Sequence, residues 1–73
     1  MMGIQQALQR LENFNYPVRA EGTVLTVEEP ESSRTLATQM FREEIYAVLK
    51  YEVPFSNITQ VDSWTIIISF EGG

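Results

Sequence analysis

The segment Trp64-Thr-Ile-Ile-Ile-Ser-Phe70 constrains this chain more than any other stretch. Side chains alternate along a strand, so Trp64, Ile66, Ile68 and Phe70 share one face and Thr65, Ile67, Ser69 and Glu71 the other. A strand this apolar pairs with any extended chain that offers a free backbone edge. Its safe position is inside a sheet, neighbours satisfying both edges and helices covering the apolar face. A chain of 73 residues hides only about 60% of the surface of its unfolded form, so that core is small. With no cysteine in the sequence, disulfides cannot supplement it.

The rest of the chain reads as the elements such a strand needs. From Gly3 to Phe14, the residues Ile4, Ala7, Leu8, Leu11 and Phe14 recur at helical spacing within an arc of about 120°. Asn15-Tyr16-Pro17 ends that helix, because proline disfavours α geometry in the residue before it. "VRAEGTVLTVEE" then reads as two extended runs turning at Glu21-Gly22, with Val18 and Ala20 on one face of the first run and Leu25 and Val27 on one face of the second. These four residues are expected under the helices. The acid- and serine-rich stretch "EEPESSRT" suits a helix start, and its Glu28, Glu29 and Glu31 are expected to be solvated. A second helix is predicted from about Ser33 to Tyr51, ending before Val53-Pro54. Beyond it lie a short strand at Ile58 to Val61 and a turn at Asp62-Ser63 into the final strand.

The expected fold is therefore α+β, a small two-layer sandwich with two helices on one face of an antiparallel sheet of three to four strands in the order α-β-β-α-β-β. Residues 1–73 form a single domain. "LENFNYPV" followed by "TVLTVEE" loosely echoes "LKYEVPF" followed by "TIIISFE". Helices that stop before a proline account for this echo as readily as a duplication does.

The second helix carries the clearest functional signal. Leu36, Met40, Ala47 and Tyr51 cluster on one facet, and Ala37, Phe41, Ile45, Val48 and Leu49 on another, together about 220° of the circumference. Glu44 falls at the seam, where it is expected to reach water or to pair with Arg10 or Arg19. One sheet covers a stripe somewhat wider than 100°, so this helix is expected to be buried on two sides. The first helix, another protein molecule or a small ligand could supply the second cover. Leu36, Met40, Glu44, Ala47 and Tyr51 are accordingly the candidate interaction residues.

Composition narrows the function. Histidine is absent as well as cysteine, which removes the usual general base, the commonest metal ligand and any thiolate site. Glu43 and Glu44 diverge by about 100° on a helix and cannot act as paired carboxylates. Ser32, Ser33, Ser56 and Ser69 lack an activating histidine, and Gly22, Gly72 and Gly73 form no phosphate-cradling loop. No catalytic, cofactor-binding or metal-binding residue is identified, and no cofactor is expected. The net charge of −5 argues against direct binding to nucleic acid, whose phosphates attract basic surfaces. No apolar run approaches the roughly 20 residues of a membrane span, and the first residues lack the basic start and apolar block of a signal peptide. A cytoplasmic location is expected.

The leading expectation is a non-catalytic, acidic protein–protein interaction or regulatory module, with a homodimer as one form of its contact. One alternative is an acidic decoy, of the kind phages encode, that occupies the nucleic-acid site of a nuclease or DNA-binding protein. The other is a small-molecule-binding domain that uses Tyr16, Tyr46 or Tyr51 as a polar handle.

Overall fold

A computed structural model describes residues 3–33 and 40–70. Two helices, α1 (Ile4–Asn13) and α2 (Phe41–Val48), accompany a four-stranded antiparallel sheet of β1 (Val18–Glu21), β2 (Val24–Glu28), β3 (Ile58–Asp62) and β4 (Thr65–Ser69). The fold is α+β with the element order α-β-β-α-β-β.

The strand order is β1-β2-β4-β3. The apolar C-terminal strand β4 thus lies inside the sheet, its Ile66 opposite both Val27 and Gln60 and its Ile68 opposite both Leu25 and Ile58. Both backbone edges of the stickiest segment are consumed by pairing, which removes its tendency to recruit other chains. Ile66 and Ile68 are fully buried, whereas Trp64 falls in the turn before the strand and remains 40% exposed. The β3–β4 turn is therefore Ser63-Trp64, one residue later than the sequence suggested, and the Trp64 N–H donates to Asp62 Oδ1 at 2.9 Å. The first hairpin also shifts. Glu21 pairs with Val24, so the turn residues are Gly22-Thr23, and Gly22 takes a φ of 63° while Thr23 stays at negative φ. That pattern fits a type II′ turn, which wants glycine at its first central position.

The core sits between the sheet and the helices. Ala7 and Leu11 enter from α1, Leu25 and Val27 from β2, Phe41 and Ile45 from α2, and Ile66 and Ile68 from β4, with Leu49, Val53 and Ile58 closing the α2 end. The two helices divide the sheet, α1 packing over β1 and β2 and α2 over β3. Val18 is half-buried but Ala20, on the same face, is exposed. Ala20 was expected under the helices. It stands toward the hairpin end of β1, past the half-buried Val18, and is exposed, which corrects that expectation.

Both helices stop by the same device. In α1, Asn15 takes φ 66° and its N–H donates to the Glu12 carbonyl, while the Tyr16 N–H donates to the Leu11 carbonyl. In α2, Lys50 takes φ 55°, its N–H donates to the Ala47 carbonyl, and the Tyr51 N–H donates to the Tyr46 carbonyl. These are Schellman motifs, which satisfy carbonyls that the last turn of a helix leaves unpaired. The two stops do not coincide within the echo of "LENFNYPV" and "LKYEVPF", since Asn15 lies two residues before Pro17 and Lys50 four before Pro54. The second helix consequently ends before Tyr51. At its other end, Ser33 belongs to a 3₁₀ turn at Glu31–Ser33, and helical backbone is described only from Met40 onward. Leu36 and Ala37 lie outside the described residues.

Candidate interaction surface

The buried stripe of α2 is Phe41, Ile45 and the adjoining Leu49, with Val48 half-buried beside them. On an 8-residue helix, positions 41, 45, 48 and 49 span about 100°, the width one sheet covers. The opposite side carries Met40, Glu43, Glu44 and Ala47, all exposed. Met40 is 59% exposed and Tyr51 67%. Burial of α2 on two sides was expected; among the described residues its outer side is uncovered within the chain. The helices divide the sheet, α1 lying over the β1–β2 half, and Tyr16, just past the end of α1, meets the outer side of α2 at Glu44.

Met40, Glu44 and Ala47 occur at i, i+4 and i+7 and form one row, as their spacing requires. Tyr51 does not join it. Had the helix continued, its ring would stand between Met40 and Glu44, but the backbone reverses at Lys50 and carries it onto Tyr46. The Tyr46 and Tyr51 rings meet edge-on at 4.9 Å between centroids and 75° between planes. Tyr46 in turn contacts the Phe55 ring at 4.9 Å, and the Arg42 guanidinium lies 3.8 Å from the Phe55 centroid. Arg42 also donates to the carbonyls of Ile58 and Phe55. A file of Tyr51, Tyr46, Phe55 and Arg42 therefore runs along one flank of α2. Its stacking was not legible in the sequence because it depends on the reversal at Lys50.

Glu44 pairs with neither Arg10 nor Arg19. It accepts a hydrogen bond from the Tyr16 hydroxyl at 3.4 Å, while Arg10 forms a loose ion pair with Glu52 at 3.9 Å. Tyr16 lies at the corner between the end of α1 and the side of α2, its ring stacked 6.3 Å from that of Phe41. Burial, reinforced by the carboxylates of Glu44 and Glu29, pushes the Tyr16 hydroxyl up to about 12. Glu29 itself is 4% exposed. It was expected to be solvated with Glu28 and Glu31. Its strand instead continues into the layer interface, where its N–H donates to the Trp64 carbonyl at 2.9 Å.

The three tyrosines lie at two separate places. Tyr16 faces Phe41 and Glu44 on one side of α2, and Tyr46 and Tyr51 lie on the other. Surface depressions occur elsewhere, such as the open one bounded by Glu28, Asp62, Ser63, Trp64 and Thr65. Among the described residues no helix is long and apolar enough to cross a membrane, and no three acidic side chains gather where they could hold a metal ion. The chain matches no protein-family model, no curated protein and no solved structure.

Proposed function

We propose that this chain is a non-catalytic interaction or regulatory module that works in the cytoplasm by docking a protein partner on the outer side of α2. The observation that carries the reading is the exposure of Met40, with Ala47 beside it, on a helix whose opposite side is fully committed to the core. An exposed methionine is adaptable, and methionine is a residue type that interfaces favour. Glu43 and Glu44 rim the same side, and the whole chain carries −5. The partner that fits is therefore a protein with an apolar contact point bordered by lysine or arginine. The non-catalytic part of the reading rests on composition, which offers no histidine or cysteine to activate a nucleophile.

The test places a photo-crosslinking amino acid at position 47 of the full chain in its native cells. A single adduct that disappears in Met40→Glu and weakens as salt is raised supports docking on this side. An adduct indifferent to Met40→Glu, or no adduct while the same partner is captured from a site on β1, overturns it.

A further inference from the structure

The two outer strands of the sheet are treated very differently. On β3 the pairing register shifts between Gln60 and Asp62, a bulge that kinks the strand, and Arg42 occupies the Ile58 carbonyl. A bulge and a covering side chain are standard defences of a sheet edge. β1 has neither. Its register with β2 is unbroken from Val18 to Glu21, and it carries no lysine or proline that would discourage pairing.

The phase of the ladder shows which backbone groups β1 leaves open. In an antiparallel pair, hydrogen-bonded and non-hydrogen-bonded positions alternate. The pair that closes a two-residue turn, Glu21 with Val24, is hydrogen-bonded. At the other end the Glu28 N–H donates to the Pro17 carbonyl at 2.9 Å, in the same phase. Residues 17, 19 and 21 therefore face β2, and the N–H and C=O groups of Val18 and Ala20 face away from the sheet. Ala20, the middle of this open edge, is exposed and has the smallest side chain on the strand. Arg19 and Glu21 flank it on the uncovered face, and among the described residues neither has an ion-pair partner.

We propose that two copies of this chain associate edge to edge through β1, antiparallel and two-fold symmetric about Ala20, to form one continuous eight-stranded sheet. Ala20 of each copy then donates its N–H to the Ala20 carbonyl of the other. Arg19 of each copy stands directly opposite Glu21 of the second copy, giving two identical ion pairs on the uncovered face. The charge pattern selects this register. Sliding the strands so that Val18 opposes Ala20 puts Arg19 against Arg19, and like charges directly opposite are destabilising. Centring the pair on Val18 leaves Glu21 with nothing opposite. The two-fold contact also closes on itself, and the bulged β3 edge does not extend it into a filament. This contact uses different residues from the outer side of α2, so either can fail alone, and the dimer leaves two copies of that side free for a partner.

The interface is short, so the dimer is weak and depends on concentration. Sedimentation equilibrium on the full chain checks it with a charge-swap series. Arg19→Glu and Glu21→Arg alone each oppose like charges, and each is expected to raise the dimer dissociation constant roughly tenfold. The double variant Arg19→Glu/Glu21→Arg recreates both pairs with reversed polarity and is expected to recover the wild-type constant, a recovery that mere damage to the fold would not give. Met40→Glu is expected to leave the constant unchanged. A wild-type chain still monomeric at about 1 mM overturns the proposal, as does a dimer indifferent to both single changes or lost in Met40→Glu.

Discussion

At the scale of single residues, the backbone reversal after α2 shows most directly how local chemistry and tertiary need diverge. Lys50 and Tyr51 both sit at positive φ, 55° and 62°, a region that costs residues with a Cβ about 1–2 kcal/mol. The reversal persists because it returns the chain toward Val53 and Ile58, both of which are buried. Lys50→Gly is expected to stabilise the protein by about 1 kcal/mol, seen as a higher denaturant midpoint with an unchanged slope. Tyr16 supplies a second residue-level test. Its hydroxyl is raised from an ordinary 10.0 to about 12, so the unfolded chain loses this proton at lower pH than the folded one. The contribution to stability is full below about pH 10 and disappears as pH rises toward about 12. Tyr16→Phe is expected to flatten that alkaline loss, measured by chemical denaturation across the range. An equally steep loss in the variant would assign it to other groups.

At the scale of elements, Arg42 joins α2 to the approach of β3. It donates to the carbonyls of Phe55 and Ile58 while lying over the Phe55 ring. Charge-assisted bonds of this kind contribute roughly 1.5–3 kcal/mol, so Arg42→Ala is expected to destabilise by about 2 kcal/mol. It also uncovers part of the β3 edge, and amide hydrogen exchange should quicken from Ile58 to Asp62 more than in β2. Uniform exchange across the sheet would show that Arg42 has no local role. Helix lengths and ends were only partly legible at this scale. The apolar period gave the α1 stripe of Ala7 and Leu11 and the α2 stripe of Phe41 and Ile45. The stop at Leu49 was missed, because Lys50 and Tyr51 are not residues whose own preferences place them at positive φ. The stop of α1 was expected from Pro17, and the structure makes it at Asn15, a residue that tolerates positive φ well.

At the scale of the whole molecule, Phe41 is where the layers meet, fully buried and stacked on Tyr16 at the end of α1. A chain of this length has about 4–11 kcal/mol of total stability, and deleting a buried phenylalanine ring costs about 3–5 kcal/mol. Phe41→Ala is therefore expected to remove a large share of that stability, read as a denaturant midpoint far below that of the wild-type chain. A variant that retains a sharp unfolding transition near the wild-type midpoint would show that α2 is not integral to the core.

The sequence by itself determined the element types, their order and the inward residues of β2 and β4, since period and turn chemistry are local properties. It also marked β4 as the strand that must lie inside the sheet, because no other segment of the chain is so apolar. What only the tertiary structure decided was the lateral placement of the helices. Whether α1 covers the outer side of α2 depends on how two helices share four strands, a matter of packing geometry on which an amphipathic stripe is silent. The structure sets α1 over β1 and β2 and leaves Met40 and Ala47 exposed, and the strand order, which puts β1 outermost, leaves its edge open among the described residues.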